Sequence, residues 1–287
     1  MIINSRRIPF GLGLGLAALA SGLAVPAQPG PPAGMSLQRL PDGTRFLLIG
    51  NKATRPAPTL FVLQGDLDTV QREPLYTEVA RLVAAQGFIG VALDAPGHGE
   101  DHRPGEPAEL SSWCWRLEQG EDLLGGFLRR FRAVLDHLVA QGITDPARVA
   151  ACGTSRGGFL AFHLAAAEPR IRCVAGIAPV TDLRALREFN TSTARASAAA
   201  LALERLAPAL AGRPVWITIG NHDQRVDTDR AIAFSRSLVT AAGEARDSVP
   251  VELLVHAEPG HRSRVQDHER LAAWLLAQPA LQPGPGP

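Results

Sequence analysis

The sequence predicts an α/β fold, a mostly parallel sheet with helices on both faces. Three observations carry this. Short apolar runs alternate with segments of helical spacing along most of the chain. The runs are continuous instead of alternating polar with apolar, as in strands buried on both faces. The residues with chemical potential fall in the turns after those runs, where such sheets bind ligands. The composition agrees: 287 residues, 46% hydrophobic and 20% charged, supply one large core or two small ones.

In chain order, residues 36–40 and 44–49 flank Pro41-Asp42-Gly43, a hairpin signal. Residues 59–63 read as a short buried strand with Gly65 just beyond. Helical spacing over 75–86 ends at Gly87, a C-cap. A strand over 88–93 precedes a long amphipathic helix over 123–139, stopped by Gly142. A strand over 148–152 leads into a helix over 156–167, and 171–177 is again a strand. Residues 194–207 read as an Ala-rich helix with Pro208 as its stop. The pattern closes with a strand over 214–219, a helix over 228–242, a strand over 251–255 and a helix over 262–277. There is no internal repeat.

The ends differ from this body. Arg6 and Arg7 precede an apolar stretch over 10–25, and Val25-Pro26-Ala27 offers small residues for a cut after Ala27. This is the layout of a secretory signal peptide. The other reading is a membrane anchor, since residues 8–25 approach the roughly 18 residues a span needs; the four glycines in that stretch favour cleavage. Residues 1–34 are therefore expected to be signal peptide and linker, and the protein exported to the periplasm or outside the cell. Contact with a membrane is expected only through an uncleaved leader. Cleavage takes the net charge from +1 to about −1. No basic stripe stands out, so no nucleic-acid partner is expected. The Pro/Gly-rich residues 278–287 are expected to fray. Cys114, Cys152 and Cys173 cannot all pair internally. Cys152 and Cys173 read as small buried hydrophobes, and Cys114 as free or bridged to one of them. No CxxC occurs, so structural zinc is not expected.

The chemical signal is Gly153-Thr154-Ser155-Arg156-Gly157-Gly158, set between a strand and a helix. That context makes G-x-S-x-G a nucleophile elbow: the glycines permit a tight turn and the serine is exposed at a helix N-terminus. A serine hydroxyl needs a base. His163 lies inside the following helix and reads as a packed side chain. His261 lies in the loop after the strand over 251–255, at the correct sheet edge, with His256 the second choice. The orienting acid belongs after the preceding strand, where Asp223 is the candidate; its bland reading is a turn or cap, the part given to Asp227. For an oxyanion hole, the N–H of Arg156 is one donor. The second is assigned to Asp66, with Leu67 open, because Gly65 lets the backbone approach. His98 and His102, with Glu100 and Asp101, read as a solvated turn with no third metal partner. Trp113 and Trp115 either line the pocket mouth or pack a loop. With no nucleotide loop and no metal cluster, no cofactor or metal is expected.

These motifs resemble the α/β-hydrolase superfamily over residues 36–277. The likeness is nearest to single-domain serine hydrolases similar to the catalytic domain of prolyl oligopeptidases and to dienelactone hydrolases. It rests on the doubled glycine of the elbow, on Gly220 with Asp223 and Val226, on Asp94-Ala95-Pro96-Gly97-His98-Gly99, and more softly on Ala178-Pro179-Val180-Thr181-Asp182. The resemblance implies a catalytic domain over residues 35–277 and Ser155, Asp223 and His261 as catalytic residues. It also implies a small-molecule ester or a short peptide as substrate; the oligomeric state stays open. The chain departs by carrying Gln64-Gly65 where the family usually has His-Gly. No upstream propeller is read, which weakens a strict prolyl-peptidase reading. The lid position, residues 181–210, is short, so an open site is expected. Three functions follow in order: a carboxylic ester hydrolase, a peptidase with the same triad, and a non-catalytic binding member.

Overall fold

The computed structural model describes residues 34–51, 55–244 and 251–283. The expected leader lies outside them. Eight strands form one sheet: β1 (Met35–Arg39), β2 (Arg45–Ile49), β3 (Ala57–Leu63), β4 (Ile89–Leu93), β5 (Thr144–Thr154), β6 (Ile171–Ile177), β7 (Val215–Gly220) and β8 (Val251–His256). Their spatial order is β1-β2-β4-β3-β5-β6-β7-β8. The β1–β2 and β2–β4 pairs are antiparallel, and every pair from β4 onward is parallel. This is the α/β-hydrolase fold that the sequence predicts. Parallel strands need crossovers, and helices supply them.

Alternate residues of the central strands feed two cores. Phe61, Leu63, Val149 and Ala151 face one core, while Leu60, Val62, Ala150 and Cys152 face the other. The first is closed by α3 (Leu110–Glu118), α4 (Gly125–Ala140), α5 (Arg156–Ala167) and α8 (Thr228–Glu244). Edge-to-face contacts of Phe61 with Phe131 at 4.5 Å and of Phe162 with Phe234 at 5.0 Å tie it together. The second is closed by α1 (Leu67–Arg72), α2 (Pro74–Ala84) and α9 (Val265–Leu276).

Several expectations need correction. Helices α1 and α3 occupy segments with no predicted element; both are short, and α3 is held by polar contacts that hydrophobic spacing does not reveal. The helix expected over 194–207 is instead α6 (Arg195–Ala200) and a 3₁₀ turn (Leu203–Leu206), after which α7 (Ala207–Leu210) begins. Pro208 sits in the first turn of α7, where its missing N–H costs nothing, so it begins a helix and does not stop one. The closing helix starts only at Val265, because Arg264 caps it through Asp267. The tail packs over 278–281, with Leu281 buried in the second core, while Gln282 and Pro283 are exposed. Trp113 is buried and donates from Nε1 to the Pro96 carbonyl at 2.6 Å, so it packs the loop. All three cysteines are free and buried.

The turn after β4 is solvated only in part: Glu100 and His102 are exposed, whereas Asp94 and His98 are buried. Asp94 accepts from Arg45 Nε at 2.6 Å and from the Leu67 N–H at 2.9 Å. Asp101 accepts from the Gly97 N–H at 2.6 Å and from Arg116 Nη1 at 2.7 Å, and it pairs with Arg130. Glu106, its side chain wholly buried, accepts from Arg116 Nε at 2.7 Å and Arg103 Nε at 2.8 Å. His98 is buried within this frame. Burial would raise the Glu106 carboxyl, but the two guanidiniums and the Arg103 N–H pull it down to about 2. Its folded value thus lies below the ordinary Glu value of about 4.3, so its contribution is full above that and fades as pH falls toward 2. Glu106→Gln is expected to cost about 3–5 kcal/mol at pH near 7. The gap from wild type in urea unfolding should shrink on going to pH near 3; a gap that stays constant would contradict this account.

Candidate active site

β5 ends at Thr154, α5 begins at Arg156, and Ser155 turns the chain between them with φ 54° and ψ −117°. A non-glycine residue holds such a conformation only when its surroundings impose it. They do: the Ser155 N–H donates to the Ile177 carbonyl at 2.9 Å, and the Ser155 carbonyl accepts from the Val180 N–H at 3.0 Å. The elbow can close only around glycine. A Cβ on residue 157 would stand 1.8 Å from the Leu63 carbonyl oxygen, and one on residue 153 would stand 2.2 Å from the Gly157 carbonyl carbon.

Two further loops at the same sheet edge bring the partners. After β7, the Asp223 N–H donates to Thr228 Oγ1 at 3.0 Å, and that hydroxyl donates to the Gly220 carbonyl at 2.7 Å. Asp223 Oδ1 accepts the N–H groups of Arg225 at 2.9 Å and Val226 at 3.1 Å. After β8, the Gly260 N–H donates to the His222 carbonyl at 3.1 Å, which locks the histidine loop onto the acid loop. His261 Nδ1 then lies 2.7 Å from Asp223 Oδ2, and Nε2 lies 2.9 Å from Ser155 Oγ.

The proton positions follow from the partners. Burial alone would raise the Asp223 carboxyl; the hydrogen bond and charge of His261 and the two loop N–H groups outweigh it and hold it below its ordinary value. An ionised carboxylate only accepts. His261 Nδ1 therefore carries the proton, and Nε2 is free to accept from the Ser155 hydroxyl.

The remaining histidines lie elsewhere. His163 is buried in α5, bonds the Leu201 carbonyl at 3.0 Å, and burial lowers its pKa to about 4. His256 is buried at the end of β8, His268 bonds Ser263 Oγ at 2.6 Å, and His222 contacts Gln224. Asp227 accepts from the Asp229 N–H at 3.0 Å, as a cap of α8 does.

Of the two N–H groups considered beside Arg156, only one is free. Leu67 donates to Asp94 Oδ1 at 2.9 Å. Neither the Arg156 nor the Asp66 N–H donates to any acceptor among the described residues. A cleft of about 420 Å3 opens beside Ser155 and His261, with Gly65, Asp66 and Arg156 in its wall.

A model of the prolyl oligopeptidase family matches residues 75–280. The chain belongs to the prolyl oligopeptidase family. It is 28% identical over 152 residues to acylamino-acid-releasing enzyme 2 of Oryza sativa subsp. japonica, a match covering 50% of this chain and 18% of that protein. In fold it is similar to a puromycin-hydrolyzing peptidase of Mycobacterium tuberculosis, with TM-score 0.65, 19% identity and coverage of 87% of this chain and 41% of the other. It is also similar to an acetyl xylan esterase from Paenibacillus sp. R4, with TM-score 0.61, 16% identity and coverage of 87% and 86%.

In this family member the cleft also holds residues with no sequence signal. Glu109, at φ 58°, aims an exposed carboxylate into it and pairs with the Arg156 guanidinium. Tyr76, the lone tyrosine of the chain, and Arg262 and Ser263 line it as well. The only hint was proximity in sequence, since Arg262 and Ser263 follow His261. Trp113 and Trp115 do not line it. Gly157→Ala is expected to destabilise by about 3 kcal/mol or more in urea unfolding. Gly243→Ala on α8, where a Cβ would meet nothing within 4 Å, should be neutral or mildly stabilising. Equal stability of the two variants would show that the elbow does not require glycine.

Proposed function

We propose that this protein is an exported hydrolase of carboxylic esters that works through an acyl-enzyme on Ser155. The observation that carries the reading is the hydrogen-bond chain from Ser155 Oγ through His261 to Asp223. Ser155 Oγ attacks the ester carbonyl as its proton passes to His261 Nε2. Asp223 keeps the imidazole oriented and stabilises its cationic form. The carbonyl oxygen becomes an oxyanion held by the N–H groups of Arg156 and Asp66, and each such donor is worth about 10²–10³-fold in rate. His261 then gives the proton to the departing alkoxide. Water repeats the sequence on the acyl-enzyme and frees the acid.

No cofactor has a part in this chemistry. A cleft of about 420 Å3 suits a small acyl group, and the fold similarity to an acetyl xylan esterase is consistent with an ester. One observation favours a peptide as second reading: the carboxylates of Asp66 and Glu109 share the cleft with Ser155, and a peptide N-terminal ammonium would meet them. Export rests on the leader over residues 1–34.

Four outcomes are expected. A fluorophosphonate probe should label Ser155, and Ser155→Ala should abolish both labelling and p-nitrophenyl ester hydrolysis; unlabelled, inactive but folded wild-type protein would leave the non-catalytic binding reading. Asp223→Asn should lower kcat by about 10³–10⁴-fold, and a matched ester and anilide of one acyl group should show the ester faster. Expression of the full chain in a bacterial host should yield an exported protein whose N-terminus follows Ala27; a cytoplasmic protein that retains Met1 would contradict export.

A further inference from the structure

Arg156 has two separate connections in the site. Its backbone N–H faces the cleft, whereas its side chain runs to a buried histidine from another loop. His98 lies in the turn after β4 and is 4% exposed. Its Nδ1 is 2.7 Å from the Pro96 carbonyl, which also accepts from Trp113 Nε1 at 2.6 Å. A carbonyl only accepts, so Nδ1 carries the proton and Nε2 presents a lone pair. That lone pair accepts from Arg156 Nη1, and the same nitrogen donates to Glu109 Oε2.

The ring also lies beside the second donor's loop. A Cβ on residue 65 would stand 3.2 Å from His98 Cδ2, and the Gly65 carbonyl accepts from the Ala95 N–H at 2.9 Å. Gly65 is followed directly by Asp66. One buried ring therefore bonds the elbow through the Arg156 side chain and fills the space beside Gly65 that a side chain there would need.

We propose that His98 is a positioning residue that acts through the Arg156 guanidinium to hold the Arg156 and Asp66 N–H groups at the spacing the oxyanion needs. The proposal rests on the acyl-enzyme reading above. The ring is not the base: its Nε2 is engaged by Arg156, whereas the Ser155 hydroxyl is hydrogen-bonded to His261. Nor is the Arg156 guanidinium free to take substrate through Nη1, since His98 and Glu109 engage that nitrogen. The arrangement needs neutral His98: a protonated ring would turn a donor toward a guanidinium. Burial first, and then the Arg156 charge, lower its pKa, against the opposing effects of the Pro96 carbonyl, Glu109 and Asp66. A shift of about 1 Å in such a frame can cost around 10²-fold in rate.

Two variants separate positioning from space-filling. His98→Phe keeps the ring shape against Gly65 and Trp113 but removes both nitrogens. His98→Gln loses the ring but returns an acceptor toward Arg156. With a p-nitrophenyl ester, kcat of His98→Phe should fall by about 10–100-fold with KM within about threefold. Its Ki for benzeneboronic acid, whose tetrahedral adduct occupies the oxyanion hole, should rise in step. His98→Gln should recover most of the loss. In a double-mutant cycle, Arg156→Met alone should lower kcat, and His98→Phe should add little on that background. Equal losses for the Phe and Gln variants, a change in KM alone, or fully additive effects with Arg156→Met would overturn the proposal while leaving the hydrolase reading intact. Wild-type protein that neither turns over esters nor reacts with a fluorophosphonate would instead overturn the hydrolase reading, and this inference with it.

Discussion

Between β3, β5 and α5 there is no room for a side chain: the Leu63 carbonyl lies 1.8 Å from where a Cβ on residue 157 would stand. That contact sets how closely the helix approaches the sheet. It forces the turn at Ser155 into a positive φ and leaves its hydroxyl in the cleft instead of in a core. It also places the N-terminus of α5, with its unpaired N–H groups and favourable dipole, beside the Ser155 hydroxyl. Loops from β7 and β8 complete the constellation because parallel strands deliver all their C-terminal turns to one edge. Register does the rest: Gly220 pairs with His256, so the acid and histidine loops leave the sheet side by side.

A second, electrostatic layer surrounds this steric one. Arg45, Asp94, Asp101, Glu106, Arg116 and Arg130 brace the long connection between β4 and α3. Buried pairs of this kind add little net stability but strongly resist losing one partner. Here their effect is geometric. Asp94 takes up the Leu67 N–H and leaves that of Asp66 available, while the braced turn presents His98 to Gly65 and Glu109 to Arg156. The connection therefore serves the site, although none of its residues belongs to the Ser–His–Asp chain.

Much of this was legible in the sequence, and the limits have physical causes. Continuous apolar runs gave the strands, and the glycine-flanked serine between strand and helix located the elbow. Position after successive strands was enough to single out Asp223 and His261, because the parallel sheet turns order along the chain into proximity in space. What escaped notice depends on pairings remote in sequence. His98 looked solvated because its neighbours Glu100 and Asp101 are charged, yet Asp101 is neutralised by Arg116 and Arg130. Helix α3 is short, and its buried Arg116 and Ser112 break the apolar spacing. Pro208 is compatible with a helix stop or a helix start, and only packing decides. The histidine expected before Gly65 is Gln64 in this chain, but His98 from a different loop fills the space beside the same glycine.

The proposed function turns on a single event, transfer of an acyl group to Ser155. Rapid-quench mass spectrometry during turnover of p-nitrophenyl acetate tests that event most directly. The account predicts a burst of p-nitrophenol matched by a protein species heavier by one acetyl group, with the modification on the peptide that holds Ser155. Turnover with no covalent species when deacylation is slowed, or an adduct mapped to another residue, would contradict it.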